Sequence, residues 1–562
     1  MSFEKATGYI SKLQLNSTEE IEINQNDIVV FVGPNNSGKS QSLKDIYTLS
    51  SKKMPTIVIS DIMINKTPGS LSPLLKSVSS GSDQGKYTNY SLLGRGLNYF
   101  EYSDESFFND TYYGEFRDLF VANLDTAARL TICNPPNNIN RNESKQHPIH
   151  YAAFDSKHRK WLSSNFKKAF GVEVTPNTHY GATIPLCIGE PVNLNAEYED
   201  EQQRSEAFAT ILDTYIQVQK QGDGIKSFTG ILLYLMLDHY CTYLIDEPES
   251  FLHPPQARIM GQIIGDTLRN NQQAFISTHS EDFIKGLLEV CPQRIKIVRI
   301  TRAADTNSFS ILSNDRFAEV WNDPLLKYSN IMSSLFHKSV VLCESDSDCK
   351  MYSIIDNYIK QTEGKYSESL FIHCGGKHRM AKIAFALHAL KIDVRLIPDI
   401  DILDDEKVFK GIVVEYGIDW STIQSDYNII VSNLHSPKEK INRNDVKTTI
   451  NRELDASASQ ELSNLEIGAI RKSISIVSKW DTLKSSGRSA IPAGAASLAF
   501  NRMEEVLRSN GIYIVPVGEL EGFVKEVGGH GPDWVNKVLE TYPDISNEVY
   551  TKIRHFVGGI NL

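Results

Sequence analysis

The sequence lacks long apolar runs and a secretion signal. None of its 562 residues belongs to a run that approaches the roughly 18 apolar residues of a membrane span. The first segment, MSFEKATGYISK, carries the acidic Glu4 and has no apolar core of the kind found in signal peptides. These absences argue against a membrane-spanning or secreted protein, and the expected location is cytoplasmic.

Paired cysteine motifs and an excess of positive charge are also missing. The seven cysteines are odd in number and form no CxxC pair, which argues against a disulfide framework and a zinc ribbon. We expect reduced, mostly buried thiols. Lys and Arg total 58 against 69 Asp and Glu, a net charge of −11, so the whole chain does not attract polyanions. Any bound nucleic acid needs local basic patches, or metal ions that bridge carboxylates to phosphate.

What the sequence does have is the ordinary composition of a soluble globular protein, with 41% hydrophobic and 23% charged residues. Residues 8–32 read as strands and end in the continuous apolar run Ile28–Val32, which is typical of a strand buried on both faces. From about 60 to 200 the pattern turns polar and irregular. We predict a helical or irregular insertion there, which is a candidate dimerisation region.

Two α/β units follow one another in the remaining pattern. Residues 205–300 alternate helix and strand as in a parallel sheet, and a second alternation begins near residue 338. We therefore predict an α/β protein with two domains, 1–330 and 331–562, the second of which ends in helices.

A phosphate-binding motif follows the first buried strand directly. Gly33–Ser40 satisfies GxxxxGK[ST] and precedes a helical pattern, a context that disfavours a chance glycine turn. Backbone N–H groups of such a turn cradle phosphate oxygens, while Lys39 reaches the β and γ phosphates of ATP and Ser40 meets Mg²⁺. The predicted nucleotide-binding residues of the loop are Gly33, Asn35, Asn36, Ser37, Gly38, Lys39 and Ser40.

A second strand supplies acidic partners for this loop. Cys241–Ile245 is apolar and ends in Asp246 and Glu247, which predicts that Asp246 orients Mg²⁺ and that Glu247 activates the attacking water. An isolated pair of acids would usually be a solvated strand end. Here the continuation DEPESFLHP is followed by another apolar strand, which ends in His279.

These motifs resemble the ABC-type ATPases of the SMC and RecF-like group. The resemblance rests on DEPE and LHP followed by a strand and THS, and it implies that His279 is a switch histidine at the γ-phosphate. The family's signature loop corresponds to Gln221–Phe228, which keeps a glycine turn at Gly224 but departs from LSGGQ. In such ATPases this loop closes on nucleotide held by another subunit, so the resemblance implies a homodimer or a higher homo-oligomer.

Two basic pieces stand out within residues 60–200. Lys157–Lys160 and Lys167–Lys168 concentrate positive charge in an otherwise acidic chain. They could touch phosphate, although a solvated helix face is the simpler interpretation.

The second unit concentrates acidic residues at strand ends. Glu344 follows the strand SVVLC, Asp348 lies in the helix start after it, and Asp399 and Asp401 follow the strand VRLIP. In an extended strand Asp399 and Asp401 share a face, and parallel pairing with the strand of Glu344 gathers the carboxylates at one sheet edge. Divalent cations offset the repulsion between such carboxylates, and oxygen ligands suit Mg²⁺ or Mn²⁺. Each acid taken alone is more simply a solvated loop residue.

This arrangement resembles a TOPRIM domain, the metal-binding, Rossmann-like α/β fold of topoisomerases, primases and certain nucleases. An ABC-type (P-loop) ATPase domain followed by a TOPRIM domain is the layout of the OLD (overcoming lysogenization defect) nucleases. The resemblance implies that the metal-binding acids are Glu344, Asp348, Asp399 and Asp401, with a second-metal carboxylate from Glu519 or Glu521 in GELE. It also implies a lysine near the scissile phosphate, for which Lys537 and Lys552 are candidates.

The function implied is an ATP-regulated, divalent-metal-dependent DNA endonuclease that hydrolyses phosphodiesters with two metal ions. Family members act in bacterial anti-phage defence with a partner, either a helicase or a reverse transcriptase with its DNA product. One alternative is a nucleotide-gated DNA clamp or sensor whose acidic residues only bind ions. A topoisomerase or primase fits less well, because the second unit leaves little room for a further catalytic module.

Overall fold

The computed structural model of the protein describes residues 5–17, 19–79, 81–190, 192, 194, 200–303, 306–312, 331–434, 442–456, 461–474 and 479–560. The chain divides into two compact units, Met1–Asp323 and Pro324–Leu562. The boundary that we predicted at residue 330 falls within 313–330, outside the described residues. No helix in the described ranges is long and apolar enough to cross a membrane.

The first unit mixes short strands and helices. Its strands are β1 (Thr7–Leu15), β2 (Glu20–Glu22), β3 (Ile28–Val32), β4 (Ile59–Thr67), β5 (Ser82–Asp83), β6 (Tyr87–Leu92), β7 (Arg95–Phe100), β8 (Val121–Leu124), β9 (Glu173–Pro176), β10 (Leu186–Gly189), β11 (Ile216–Gln217), β12 (Thr242–Asp246), β13 (Gln273–Ser277), β14 (Ile295–Ala303) and β15 (Thr306–Leu312). Its helices are α1 (Lys39–Ser51), α2 (Leu71–Val78), α3 (Ser103–Asn109), α4 (Arg117–Phe120), α5 (Thr126–Thr131), α6 (Pro148–Phe154), α7 (Ser156–Phe170), α8 (Glu201–Asp213), α9 (Asp223–Leu235), α10 (Pro254–Thr267) and α11 (Glu281–Val290). Short 3₁₀ turns span Gly114–Phe116, Val218–Lys220 and Pro292–Arg294.

A six-stranded sheet in the order β15-β14-β3-β13-β12-β8 forms the centre of this unit. β14, β3, β13, β12 and β8 are parallel, and β15 pairs antiparallel at the edge. All five residues of β3 are buried, which confirms the strand predicted from the apolar run. Because Phe31 pairs with Ser277 and Ser277 with Asp246, the C-terminal ends of β3, β13 and β12 meet at one edge of the sheet.

Residues 60–200 do not form only the insertion that we predicted, because they also contribute strands to the sheets of the first unit. β4 pairs antiparallel with β1, and β8 pairs parallel with β12 at the edge of the central sheet. β5, β6 and β7 form a separate antiparallel sheet. The prediction of a helical or irregular decoration was wrong for these strands, because pieces as short as Val121–Leu124 carry too few residues to show a periodicity.

An apolar, helix-like pattern continues past the end of helix α8. α8 stops at Asp213, and Ile216 and Gln217 pair with Ile188 and Cys187 as strand β11. Tertiary pairing with β10 therefore overrides an apolar pattern that continues through these residues.

The second unit begins its described part at residue 331. Its strands are β16 (Ser339–Cys343), β17 (Ser369–His373) and β18 (Asp393–Ile397). Its helices are α12 (Asp346–Thr362), α13 (Met380–Ala389), α14 (Glu406–Glu415), α15 (Trp420–Leu434), α16 (Arg443–Asp455), α17 (Asn464–Ile474), α18 (Lys479–Ser486), α19 (Ala495–Ser509), α20 (Gly531–Thr541) and α21 (Thr551–Gly558). Short 3₁₀ turns span Met332–Phe336, Lys377–Arg379, Ile400–Asp404, Gly487–Ala490, Leu520–Phe523 and Glu548–Tyr550.

β16 lies between β17 and β18 in a parallel sheet. Residues 512–517 run beside β18, where the described residues form a single bridge, between Ile512 and Leu396. The N–H of Tyr513 donates to the Leu396 carbonyl at 2.8 Å, and the N–H of Val515 donates to the Pro398 carbonyl at 3.0 Å. Pro398 has no N–H to donate in return, so a regular ladder cannot continue past it.

Pro398 also changes the geometry of the two aspartates that follow it. β18 ends at Ile397, Asp399 is extended, and Asp401 lies inside the 3₁₀ turn Ile400–Asp404. The prediction that Asp399 and Asp401 share the face of an extended strand was therefore wrong, although both residues remain at the C-terminal end of β18.

The core of the second unit lies where α12, α20 and α21 pack together. Tyr352, Trp534, Tyr550 and Phe556 are buried in it. All seven cysteines of the chain are free and buried, which confirms the expectation of unpaired thiols.

Candidate functional site

The loop Gly33–Ser40 joins the end of β3 to the start of α1, as the motif predicts. Gly33 has φ 142° and Gly38 has φ 104°, a region that side chains other than glycine rarely adopt. A Cβ on Gly33 would lie 2.0 Å from the carbonyl oxygen of Ile300. Backbone conformation and packing together therefore explain why the loop needs these glycines.

Lys39 is folded against its own loop. Its ammonium donates to the carbonyl oxygens of Gly33 at 2.9 Å and Pro34 at 2.7 Å. Burial lowers the pKa of Lys39 to about 8, against the opposing influence of nearby carboxylates. Phosphate oxygens accept stronger, charge-assisted hydrogen bonds than carbonyls do, so the loop holds Lys39 where it can exchange these contacts for a phosphate.

A cavity of about 800 Å³ opens over this loop. It brings the loop together with Glu247 and His279, two residues that the sequence predicted for the same site. The other predicted residues that line it are Asn35, Asn36, Ser37, Gly38, Lys39 and Ser40. Arg302 and Asn307 line it as well, and sequence reasoning missed both because β14 and β15 carry no motif.

Asp246 and Glu247 stand at the end of β12. The hydroxyl of Ser277 donates to the Asp246 carboxylate, and Arg129 donates to the carbonyl oxygens of both acids. Glu247 has φ 47°, a left-handed conformation that costs energy in a residue with a side chain. Arg129 is fully buried beneath this turn. It lies 117 residues from Asp246 along the chain, and no sequence signal pointed to it.

The histidine that follows β13 faces Glu247. His279 Nε2 lies 3.7 Å from Glu247 Oε1, and the His279 N–H donates to Glu249 Oε1 at 2.7 Å. Burial, together with the charge of Lys39, lowers the pKa of His279. Burial raises the pKa of Glu249 to about 7. Sequence reasoning assigned no role to Glu249, the last residue of the DEPE motif. In the structure its carboxylate holds the backbone of His279 through this hydrogen bond.

Gly224 lies in the first turn of α9. A Cβ there would lie 2.5 Å from the carbonyl oxygen of Phe251. Gly224 is not one of the described residues that line the nucleotide cavity. Packing within the unit thus accounts for the glycine, and contact with nucleotide in another subunit remains a prediction.

The second unit brings its strand-end acids together. Asp399 is largely buried, and burial together with the charges of Asp348, Glu344, Asp401 and Glu519 raises its pKa well above the ordinary value. Carboxylates from the ends of β16 and β18 and from the segment after Val517 therefore share one low-dielectric region. The gathering of acids at this sheet edge is the arrangement that the sequence predicted.

Two carboxylate oxygens in this cluster lack a hydrogen-bond donor among the described residues. Glu344 Oε2 and Asp401 Oδ1 are buried, and neither has a hydrogen-bond partner in the described part of the chain. Burial and the neighbouring Asp401 raise the pKa of Glu344. Buried polar atoms are normally satisfied, so these two oxygens call for a cation or a proton.

Two lysines approach the acids. Lys377 Nζ lies 3.4 Å from Asp401 Oδ2 and donates to the Asp401 carbonyl at 3.0 Å. Lys484 Nζ lies 3.5 Å from Glu519 Oε2 and 3.9 Å from Asp401 Oδ2. Burial acts to lower the pKa of Lys484, but the negative charges of Asp401, Glu519 and Asp399 outweigh this effect and raise the pKa. Sequence reasoning missed Lys484, because α18 carries no motif and lies far from the acids along the chain.

The two lysines predicted for this role lie on the C-terminal helices α20 and α21. Lys537 is exposed on α20, close to Gly529, and Lys552 is exposed on α21. Their part in catalysis remains a prediction.

Asp348 has a structural role as well as a predicted ligand role. Its carboxylate accepts the Ser345 N–H at 2.8 Å, and Ser345 Oγ accepts the Asp348 N–H at 3.3 Å. This capping box starts α12. The Ser345 hydroxyl thus caps α12, and one Asp348 oxygen is committed to this cap.

Glu519 and Glu521 belong to one group with His530, whose potential ligand atoms all lie within 4.8 Å of one another. Glu521 Oε1 lies 2.8 Å from His530 Nδ1 and accepts the Gly531 N–H at 2.7 Å. Both glutamates of GELE therefore reach the region of the acids. His530 was not predicted, because a single histidine in a glycine-rich turn carries no recognisable pattern.

Comparison with known proteins identifies the nucleotide unit. The sequence model of the AAA ATPase domain matches residues 188–284, which contain Gly224, Asp246, Glu247 and His279. Together with the phosphate loop, this match supports a P-loop ATPase-like domain within a mixed α/β protein. Such a domain implies nucleotide binding, typically with Mg²⁺.

Two curated proteins match shorter segments. An "ATP/GTP phosphatase" of Helicobacter pylori is 35% identical over 77 residues, which are 13% of this chain and 21% of that protein. An uncharacterized protein of Methanocaldococcus jannaschii is 38% identical over 69 residues, 12% of this chain and 60% of that protein. The chain thus matches about a fifth of the first relative's length and three fifths of the second's.

Solved SMC head domains also align with the chain. The head from Thermotoga maritima is 13% identical and covers 56% of this chain and 100% of its own, with a TM-score of 0.28. The Pyrococcus furiosus head bound to the C-terminal domain of ScpA is 12% identical over 56% of this chain and 99% of its own, with a TM-score of 0.31. TM-scores this low do not establish a shared fold.

Proposed function

We propose that the protein is an ATP-regulated, divalent-metal-dependent DNA endonuclease. One observation carries the proposal: Glu344 Oε2 and Asp401 Oδ1 are buried without a hydrogen-bond partner among the described residues. Burying an ionised oxygen without a partner is costly. A divalent cation between these side chains offsets that cost and lets both carboxylates stay ionised, whereas a solvated loop acid would need no such partner.

The donor atoms suit Mg²⁺ or Mn²⁺. Carboxylate oxygens would come from Glu344, Asp399 and Asp401, and from Glu519 or Glu521, with Asp348 contributing the oxygen that its cap leaves over. Hard oxygen ligands of this kind select these cations over softer metals. When bound, a pair of such ions activates water and stabilises the leaving oxygen of a phosphodiester.

The lysines complete the chemistry from the protein side. The ammonium of Lys484 lies between Glu519 and Asp401, so it can offset negative charge that develops on the phosphate. Lys377 anchors Asp401 through its carboxylate and its carbonyl. These ion pairs favour Lys484 over Lys537 and Lys552 as the lysine that acts on the scissile phosphate.

The order of domains supports the same proposal. The parallel sheet β17-β16-β18, with its acids at the C-terminal strand ends, resembles a TOPRIM domain. A P-loop ATPase domain precedes it, which is the OLD layout. The Helicobacter relative, named an ATP/GTP phosphatase, supports nucleotide hydrolysis by the first unit, in which Asp246 would orient Mg²⁺ and Glu247 would activate water.

The test is plasmid cleavage by the purified protein with Mg²⁺ or Mn²⁺, with and without ATP. We expect nicking or linearisation that EDTA abolishes, and we expect Glu344→Ala and Asp399→Ala to abolish it while ATP binding stays normal. Lys484→Ala should slow cleavage by about a hundredfold, the typical cost of losing one group that stabilises charge in a transition state. Lys525→Ala, which removes an exposed lysine that contacts only a backbone carbonyl among the described residues, is the matched control.

Two outcomes would contradict the proposal. Cleavage at the wild-type rate by Glu344→Ala and Asp399→Ala would remove these residues from the mechanism. No cleavage by the wild type in any combination of metal and nucleotide would favour the alternative, a nucleotide-gated DNA clamp or sensor.

The biological setting proposed is bacterial anti-phage defence in the cytoplasm, with a partner. The candidates are a helicase, or a reverse transcriptase with its DNA product, and the OLD resemblance is the support for both. Affinity purification of the tagged protein from its native host, followed by identification of bound protein and nucleic acid, tests this setting. Recovery of neither partner would contradict it.

A further inference from the structure

Helix α7 concentrates basic residues within an acidic chain. Within Ser156–Phe170 there is no Asp or Glu, although the chain has a net charge of −11. Its basic residues are Lys157, His158, Arg159, Lys160, Lys167 and Lys168. Concentrated positive charge against an acidic background is the usual electrostatic footprint of a nucleic-acid surface.

Part of this charge lies in one stripe along the helix. Lys157, Lys160, Trp161, Ser164 and Lys168 follow one another at spacings of three, one, three and four residues, which keeps them on one helix face. Lys157, Lys160, Ser164 and Lys168 are exposed, and Trp161 is half-buried. We call these five residues the α7 stripe. At 1.5 Å per residue it spans about 16 Å, the length of several nucleotides.

The buried side of α7 fixes this orientation. Leu162 and Phe166 are fully buried, and the Phe166 ring packs edge-on against Phe228 of α9, with centroids 6.5 Å apart. Lys167 points away from the stripe and lies 3.1 Å from Glu173. Packing of the apolar side therefore turns Lys157, Lys160 and Lys168 toward the same groove.

The groove has a volume of about 560 Å³, and the α7 stripe forms one wall. Buried Leu235 and Met236, at the end of α9, line it with apolar surface. The groove is also lined by Arg269, Asp238 and Asp266, together with Thr267 and Gln272. Arg269 lies 2.7 Å from Asp238 and so neutralises it. Counting Lys157, Lys160, Lys168 and Arg269 against these two acids, the groove keeps a positive balance.

We propose that the α7 stripe binds the phosphate backbone of single-stranded DNA and that Trp161 stacks against a base. The inference rests on the proposed function, which names DNA as the substrate. Lysines on successive helix turns match a flexible chain of phosphates, whereas a half-buried aromatic between them can stack only on bases that are unpaired. Duplex DNA would engage the lysines and leave Trp161 without a partner.

The experiment measures binding of a fluorescein-labelled oligothymidine to the full chain by anisotropy, in EDTA so that cleavage does not interfere. Lys157→Gln, Lys160→Gln and Lys168→Gln are combined in one variant. We expect at least a tenfold loss of affinity and a fall of about two in the slope of log affinity against log salt, since each lost single-strand phosphate contact removes about 0.7. Lys76→Gln, Lys86→Gln and Lys167→Gln, also exposed lysines, form a control of equal charge change.

Variants at Trp161 distinguish the contribution of base stacking to DNA binding from the contribution of charge. Trp161→Ala should weaken binding about five- to hundredfold, the range found for one stacked base, while Trp161→Phe keeps most of the affinity. Binding of ATP by each variant reports that the ATPase unit is folded. A duplex of the same length should bind more weakly and should not respond to Trp161→Ala.

Unchanged affinity in the triple α7 variant, or an equal loss in the control triple, would overturn the proposal. Equal loss of duplex binding in Trp161→Ala would overturn the single-strand preference. Failure of the single-strand binding proposal can be distinguished from failure of the nuclease proposal. If wild type never cleaves plasmid but its oligothymidine binding depends on the α7 stripe, the nuclease proposal fails and the DNA surface stands.

Discussion

At the level of a single residue, Lys39 is the predicted phosphate contact. Its ammonium is buried, its pKa is lowered to about 8 by burial, and its hydrogen bonds go to carbonyl oxygens of its own loop. A cation held in this way gains much from a phosphate, because the phosphate supplies the negative charge that the carbonyls lack.

We expect Lys39→Ala to weaken ATP binding at least tenfold, corresponding to the loss of about 1.4 kcal/mol or more of binding free energy. Titration with a fluorescent ATP analogue measures this. Lys52→Ala, at the exposed C-terminal end of the same helix, is the control and should bind like the wild type. Unchanged affinity in Lys39→Ala would contradict the assignment of Gly33–Ser40 as the phosphate cradle.

Glu249 gives a prediction about pH. Burial raises its pKa to about 7, above the ordinary 4.5. The folded state therefore holds this proton more tightly than the unfolded state, and the stability that the protonated form contributes is lost as the pH rises from about 4.5 to about 7. Glu249→Gln mimics the protonated form, so it should be more stable than the wild type at pH 8, by on the order of 2–3 kcal/mol, and similar near pH 5.

Urea unfolding of wild type and Glu249→Gln at both pH values measures the difference. Glu105→Gln, an exposed residue of α3 in the same unit, is the control and should show no comparable change with pH. If the free energy of unfolding of Glu249→Gln stays parallel to that of the wild type across this range, Glu249 does not titrate as the structure indicates.

At the scale of elements, the site depends on how closely α9 approaches α5. A Cβ on Gly230 of α9 would lie 2.2 Å from the carbonyl oxygen of Arg129 in α5. Arg129 in turn donates to the carbonyl oxygens of Asp246 and Glu247. The helix that begins at the signature-like segment thus packs directly on the residue that holds the acidic strand end.

Gly230→Ala should lower the free energy of unfolding by about 1–3 kcal/mol, the usual cost of overpacking. It should also weaken ATP binding, because Arg129 must shift and carry the Asp246 turn with it. Thermal unfolding and nucleotide titration measure the two effects. Gly222→Ala, where a Cβ meets no atom within 4 Å, is the matched control. Equal stability of both variants would show that α9 can move away from α5 without cost.

At the scale of the whole molecule, the resemblance to ABC-type ATPases predicts that two copies of the chain associate around nucleotide. By this resemblance, Gly224 of one copy is predicted to contact the nucleotide that the loop Gly33–Ser40 of the other copy holds. Slowing hydrolysis should trap such a pair, because Glu247 is the residue proposed to activate water and its amide analogue would still allow ATP to bind.

We expect Glu247→Gln to double its molar mass in light scattering when ATP and Mg²⁺ are added, since trapped nucleotide joins two subunits. Glu247→Gln combined with Lys39→Ala should stay at the mass seen without nucleotide. A mass for Glu247→Gln that does not respond to ATP would contradict nucleotide-dependent dimerisation and would leave Gly224 with its packing role alone.

Much of the nucleotide site was predictable, because its signals are local in the chain. The apolar run before Gly33, the helix after Ser40 and the strand before Asp246 each occupy consecutive residues, and the structure confirms these elements. The acidic residues of the second unit were also found from strand-end positions. Their geometry was not, since the strand breaks at Pro398 before it reaches Asp401.

By itself the sequence determined which residues are the candidates for the chemistry: the glycines and lysine of the loop, and the acids that follow β12, β16 and β18. These depend on turn conformation and hydrophobic period, which consecutive residues set. The tertiary structure alone decided which distant residues complete the sites. Arg129 beneath Asp246, Lys484 beside Glu519, and β8 at the edge of the central sheet are contacts between residues far apart in the chain, and packing, not local pattern, places them.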